Sequence, residues 1–346
     1  MTGMLVSSGG LGRDHDQTGM AHAGRRTCCP LCGGYDGRMF CRTRDFNWAV
    51  PGEFTYVTCT GCGLVRQNPA PSEETLRNMY PTFYGTSQAC NGDPDKRINA
   101  PPFAFRANIL EAFKQPPASF LDIGCGSGLF LAFMRRRGWD VNGIDPAGEH
   151  VEYANRVLGL EGVRRAAWPS EGFAGLQVDV VSFIHVLEHF LDPVEALERT
   201  RDIMKPDALL MIETPNAEGW PLSIFGRHCV QMDAPRHICL FSPAALQSCA
   251  RKAGYETAFL RTYAPSTMEW TESLRYVLTT AGLGSYGRKS AVGESRGENG
   301  RTVNSSAAGI FLQGLHATER ALCRGLNRIS AWAGQGANIL MIARKT

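Results

Sequence analysis

The tightest constraint on the fold is a glycine turn held between two short apolar strands. Ser119-Phe120-Leu121-Asp122-Ile123 reads as a strand, Gly124-Cys125-Gly126-Ser127-Gly128 as a flexible turn, and Leu129 to Arg137 as a helix that packs through Leu131, Phe133 and Met134. A second strand, Trp139 to Asp145, ends in an acid 23 residues after Asp122. Glycines admit a ligand close to the backbone and to a helix N-terminus, while an acid at the end of the second strand accepts from ribose hydroxyls. A lone G-x-G-x-G also closes ordinary loops, so the flanking strand, helix and acid give the motif its strength. The dinucleotide fingerprint spaces its glycines G-x-G-x-x-G. Here the spacing is shorter and Asp122 lies two residues before the first glycine, which suits a cationic ligand with an amino acid end better than a pyrophosphate.

A second pattern lies upstream. Cys29-Pro30-Leu31-Cys32-Gly33 and Cys59-Thr60-Gly61-Cys62-Gly63 are paired knuckles separated by 26 residues. Four thiolates at that spacing suit tetrahedral zinc, and the glycine after each second cysteine lets backbone N–H groups turn toward sulfur. A redox C-x-x-C pair would need one copy, beside a βαβ pattern. Cys28 competes with Cys29 as a ligand, but the Pro and Gly positions favour Cys29. Such a site is coordinatively closed, so its role is architecture or recognition.

At 346 residues with 43% hydrophobic and 20% charged residues, the chain has material for more than one module and for a sizeable core. No apolar run reaches the ~18 residues of a membrane span, and residues 1–26 lack the apolar centre of a signal peptide, so a cytoplasmic protein is expected. Net charge is only +3, with Lys and Arg spread along the chain, which counts against a nucleic-acid partner and favours a small-molecule substrate. The expected organisation is a disordered tail over 1–26, a zinc ribbon over 27–70 and a linker with helices over 71–115. A cofactor-binding core follows over 116–263, then a helical insertion over 264–335 with a disordered stretch at 282–306, and a closing strand over 336–346. Within these limits, 85–102 reads as a surface loop, and helices are expected near Ser72, over Phe103 to Lys114, near Met268 to Thr280, and near Ser306 to Trp332.

Asp122-Ile123-Gly124-Cys125-Gly126-Ser127-Gly128 resembles the first motif of the class I S-adenosylmethionine-dependent methyltransferases. Val178 to Phe190 resembles that family's fourth strand and the helix after it. Asp192-Pro193, a helix from Val194 to Met204, the turn Lys205-Pro206-Asp207 and Ala208 to Asn216 resemble its fifth helix and strand. Arg236 to Pro243, followed by a helix from Ala244 to Ala253, is also similar. With the two knuckles, the resemblance is to bacterial zinc-ribbon methyltransferases of small-molecule and sugar pathways. It implies an α/β, Rossmann-like seven-stranded sheet whose last strand is antiparallel, with Glu256 to Tyr263 as strand six and Gly336 to Arg344 closing the sheet after the insertion.

The resemblance further implies that Asp122, Gly124, Cys125, Gly126 and Gly128 hold the methionine end of S-adenosylmethionine and that Asp145 holds the ribose. Ala167 and Trp168 are candidates to flank the adenine, Trp168 being equally readable as core, and His185 would sit beside the cofactor. Methyl transfer from a sulfonium is an in-line displacement, and a hydroxyl acceptor must also lose a proton. His185, Glu188 and His189 fall at i, i+3 and i+4, one face of a helix opening after the fourth strand. Three readings stay open for them: a histidine general base, with His189 preferred, a metal site, or a structural helix start. His237 is a further candidate base. The expected activity is O-methylation of a small metabolite or sugar by a monomer or homodimer, with C-methylation of a nucleotide deoxysugar or a non-catalytic cofactor-binding scaffold as alternatives.

Overall fold

The computed structural model describes residues 27–72, 75–76, 93–169, 175–283 and 321–346. The expected tail over 1–26, most of the expected disorder at 282–306 and the start of the helix near Ser306 lie outside the described residues. The same is true of Met79, Tyr80 and residues 85–92.

The core is a seven-stranded sheet. Its strands are β4 (Ser119–Ile123), β5 (Asp140–Asp145), β6 (Val163–Arg165), β7 (Val178–Ile184), β8 (Met204–Pro215), β10 (Tyr255–Tyr263) and β11 (Asn338–Lys345), in the order β10-β11-β8-β7-β4-β5-β6. β4 to β8 pair in parallel, and β11 runs antiparallel to both β8 and β10. Both faces of the central strands are covered, so their apolar runs are continuous rather than alternating: Val178, Val180, Val181 and Phe183 of β7 are all buried. One face packs on helices α2 (Pro101–Glu111), α3 (Leu129–Arg136) and α4 (Gly148–Arg156) through Leu110, Leu131, Met134 and Ala154. The other packs on α5 (Pro193–Glu198) and α7 (Pro243–Lys252) through Ala196, Leu197, Leu246 and Ala250, and on the cysteine knuckles.

The knuckles carry a small antiparallel sheet of β1 (Gly37–Thr43), β2 (Phe54–Cys59) and β3 (Val65–Gln67), and its fourth strand is β9 (Cys239–Leu240) from far along the chain. Two buried contacts strengthen this join. Arg236 makes a bidentate pair with Asp45 at 2.9 Å on each arm and bonds Asp233 at 2.7 Å, and the Tyr56 hydroxyl donates to the His237 carbonyl at 2.7 Å.

Several local expectations change. Residues 94–98, expected in a loop, form a short helix α1 (Pro94–Ile98), because Asp93 accepts from the Asp95 N–H and Pro94 fits a first helical turn. The helix expected over Val194 to Met204 stops at Glu198 and tightens into a 3₁₀ turn, Arg199–Ile203. Lys205-Pro206-Asp207 then belongs to β8 rather than to a turn, at the frayed start where the β7–β8 register shifts. The helix expected near Met268 to Thr280 does form, as α8 (Met268–Thr280), and packs against helical residues 321–332 through a 2.6 Å hydrogen bond from Trp270 Nε1 to Asn327 Oδ1.

Candidate functional site

The glycine turn sits at the C-terminal ends of β4 and β5. Gly124, Gly126 and Gly128 all have φ near the left-handed region, at +71°, +54° and +76°. A side chain at Gly124 would strike Val186, and one at Gly128 would strike Leu160 and Ala154, so these two close the turn against its supports. At Gly126 a Cβ would meet nothing within 4 Å. The open ground in front of the turn therefore lies at the middle glycine, where a ligand can approach the backbone. Asp145 braces the same turn, its Oδ2 accepting from the Gly126 N–H and its Oδ1 from the Ala147 N–H, both at 2.9 Å. Asp122 is buried, and desolvation pushes its carboxyl up to about 7 against the opposing hydrogen bond donated by Ser182 at 2.6 Å. A cation placed beside it would favour the ionised form. The Cys125 side chain packs toward Gly143, so that residue faces the turn through its backbone. Ala167 is exposed, and half-buried Trp168 donates from Nε1 to the Ala196 carbonyl of α5 at 2.8 Å. These features fit a nucleoside cofactor with a cationic amino acid end.

The other half of the site is built at the ends of β7 and β8. The expected helix at His185 does not form. The His185 N–H bonds the Glu213 carbonyl at 2.8 Å, which continues strand pairing, and the residue then turns at φ +56° into a 3₁₀ turn, Leu187–His189. His185 and His189 consequently part company. His185 Nε2 meets Glu213 Oε1 at 3.0 Å, with Glu188 Oε1 3.6 Å from its Nδ1. Burial pulls this imidazole down, but hydrogen bonding to Glu188 and Glu213 outweighs it and raises the pKa to about 9. The ring is thus an imidazolium at neutral pH and a poor base. Glu213 is fully buried and held by Arg106 through bonds of 2.5 and 2.7 Å, and Asn338 of β11 donates to it at 3.0 Å.

His189 turns toward His237, their ring centroids 4.8 Å apart and the rings nearly perpendicular. His189 Nδ1 lies 3.0 Å from the Arg236 carbonyl, and His237 Nδ1 lies 2.8 Å from the Gln231 carbonyl. A carbonyl only accepts, so each Nδ1 carries hydrogen, and in the neutral form of either ring the lone pair lies on Nε2. Burial first, then the neighbouring His237, lowers the pKa of His189. Glu188 completes the group: one atom each of Glu188, His189 and His237 lie within 4.8 Å of one another. Burial pushes the Glu188 carboxyl up, but its interaction with His185, joined by His237 and His189 whenever those rings are protonated, brings it down to about 2. Its Oε2 accepts from Thr214 at 3.0 Å, while the buried Oε1 faces His185 Nδ1 at 3.6 Å and His237 Nε2 at 3.9 Å.

The knuckles bring four sulfurs together. Cys29 and Cys62 Sγ lie 3.5 Å apart, Cys32 and Cys59 Sγ 3.4 Å apart, and all four fall within 4.8 Å of one another. Zinc–sulfur bonds of about 2.3 Å in a tetrahedron require sulfur separations of roughly 3.8 Å, so the set fits a small zinc ribbon. The two knuckles repeat one backbone design: Gly33 and Gly63 take φ +75° and +76°, and their N–H groups bond the carbonyls of Cys29 and Cys59 at 2.8 and 2.9 Å. Cys28 is exposed and outside the cluster.

A sheet of this order with a glycine turn open at its middle residue defines a class I methyltransferase fold. The methyltransferase domain family matches residues 99–258. The ubiquinone biosynthesis O-methyltransferase of Bordetella avium is 31% identical over 178 residues, which cover 46% of this chain and 73% of that protein. The enzyme of the same name from Ruegeria pomeroyi is 32% identical over 164 residues, covering 44% of this chain and 66% of its own length, just under two thirds. Among solved structures, the 1,6-didemethyltoxoflavin-N1-methyltransferase of Burkholderia thailandensis aligns over 86% of this chain and 97% of that one, at 14% identity and a TM-score of 0.47. The chain belongs to the class I S-adenosylmethionine-dependent methyltransferases.

Sequence reasoning missed Arg106, Glu213, Asn338, Asp45 and Arg236. One signal was present: Glu213 is a lone acid within the apolar run Ala208 to Pro215, and a carboxylate in a buried strand requires a partner.

Proposed function

We propose that this chain methylates a hydroxyl group of a small molecule, a metabolite or sugar, with a neutral histidine of the His189–His237 pair removing the hydroxyl proton. The observation that carries the reading is the tautomer arrangement. Both Nδ1 atoms are committed to backbone carbonyls, which leaves Nε2 as the proton-accepting atom of each ring, beside an ionised Glu188. Glu188 would stabilise whichever ring becomes an imidazolium. The O-methyltransferase names of the sequence relatives support a hydroxyl acceptor.

S-adenosylmethionine, when bound, supplies an electrophilic methyl group that needs no covalent intermediate on the protein. Asp122 and the backbone of Gly124 to Gly128 would hold its methionine end and Asp145 its ribose, with Ala167 and Trp168 beside the adenine. His185, an imidazolium clamped by Glu188 and Glu213, would help shape the floor of the site rather than take the proton. The four cysteines would hold one structural zinc. Among the described residues no helix is long and apolar enough to cross a membrane, and the small net charge favours a small molecule over nucleic acid as partner.

A second reading is favoured by the convergence of three donor side chains: Glu188, His189 and His237 would chelate a divalent cation that carries the acceptor's oxygen. Turnover assayed by release of S-adenosylhomocysteine, with His189→Ala, His237→Ala and chelator arms, tests both. A chelator-sensitive rate restored by Mg²⁺ selects the metal. Full kcat in both histidine variants overturns the base.

A further inference from the structure

Arg66, in the middle of β3, is 1% exposed, and none of its three guanidinium nitrogens has a hydrogen-bonding partner. The other fully buried arginine, Arg236, is saturated by Asp45 and Asp233, and Arg106 by Glu213. Arg66 is therefore the exception among the buried arginines described. Guanidinium cannot shed its charge in a protein, and an uncompensated buried cation costs several kcal/mol. A folded state that retains such a group is expected to hold an anion against it.

The position of β3 relates this cation to the histidine cluster. The Gln67 N–H bonds the Ile238 carbonyl at 2.9 Å, and the Ile238 N–H bonds the Glu188 carbonyl at 2.8 Å, so the strand is one step of backbone away from the 3₁₀ turn. Arg66 is the antiparallel Cα partner of Cys239 and shares its face of the small sheet. Cys239 Sγ lies 3.9 Å from the Phe190 carbonyl, which identifies that face as the one laid on the turn carrying Glu188 and His189. His237 precedes Cys239 by two residues.

We propose that Arg66 binds an oxyanion, a carboxylate or phosphate, carried by the acceptor, so that the substrate is an anionic hydroxyl compound whose charged end is held on the ribbon side of the site. The inference rests on the methyltransferase reading and names its substrate class. The planar fork of guanidinium matches both oxyanions through paired N–H bonds, and a neutral acceptor would leave the cation bare.

The test uses the full chain loaded with zinc. In the presence of S-adenosylhomocysteine, calorimetry compares 3,4-dihydroxybenzoate with catechol, two hydroxyl compounds that differ in one carboxylate. Wild type should favour the carboxylate at least tenfold, and Arg66→Leu should bring the ratio close to one. A thermal melt in phosphate against chloride at equal ionic strength forms the second arm, with stabilisation expected for wild type and none for Arg66→Leu. Because the variant removes an unpaired buried charge, it should melt no lower than wild type in chloride. Arg66→Met serves the same purpose should leucine pack poorly. Stabilisation by phosphate without any preference between the two phenols would mean that a free anion occupies the site, and would overturn the acceptor assignment. Absence of both effects in wild type overturns the site itself. S-adenosylhomocysteine binding, read in the same titrations, separates these results from failure of the methyltransferase reading, since Arg66 should leave it unchanged.

Discussion

The two halves of the site are built in different ways. The cofactor half is local: one strand, five residues of turn, one helix and a second strand supply Asp122, the glycines and Asp145 within 24 residues. The half proposed to receive the acceptor draws Glu188 and His189 from the turn after β7, Glu213 from β8, Arg106 from α2, Asn338 from β11 and His237 from the loop before β9. That loop is fixed by the zinc-ribbon side, through Asp45 to Arg236 and Tyr56 to His237. The lesson is that one half should tolerate damage that disables the other.

The sharpest break in this comparison is Gly126→Arg. Its side chain would fill the open ground before the turn at a positive φ, so S-adenosylhomocysteine binding should be lost while zinc content stays at one per chain. Calorimetry returning wild-type affinity in a folded variant would refute the placement of the cofactor. The converse is Cys59→Ser with Cys62→Ser. Zinc should be lost on metal analysis, and kcat should fall at least as far as in a histidine variant because β9 and His237 lose their anchor, with cofactor affinity within about threefold of wild type. If affinity and kcat fall together, the halves are not independent.

His189→Ala should lower kcat by roughly 10²–10⁴-fold with cofactor affinity unchanged, the range typical of a positioned base. His237→Ala is its counterpart, and the larger loss identifies the ring that takes the proton. The smallest effect concerns stability. His185 has its folded pKa raised from 6.5 to about 9, so its contribution is fully present below pH 6.5 and is lost as pH rises through 9. Denaturant midpoints of wild type should fall across that window, and those of His185→Gln should fall less. Equal slopes would show that the clamp by Glu188 and Glu213 does not act as the geometry implies.

Legibility followed the same division. The glycine turn, the acid ending β5 and both cysteine knuckles could be read because each depends on backbone geometry set by neighbours in sequence, such as the positive φ at Gly33, Gly63 and Gly126. The helix expected at 185–189 fails to form for the opposite reason. Helical spacing would place His185, Glu188 and His189 on one face, but pairing of the His185 N–H with β8 delays the turn and sends the two rings to different partners.

The sequence by itself showed the glycine turn, the acid ending β5 and the paired cysteine knuckles, since local torsions and short spacings carry that information, and its resemblance to the class I methyltransferases implied a seven-stranded sheet with an antiparallel last strand. Only the tertiary structure decided which neighbours each ionisable group meets. The His185 pKa is raised because Glu213 and Glu188 flank it, His189 is held toward neutrality by burial and by His237, and Glu188 Oε1 lies between His185 and His237. Protonation in a buried site depends on what lies within a few ångströms, and here those neighbours come from elements separated by up to 153 residues of chain.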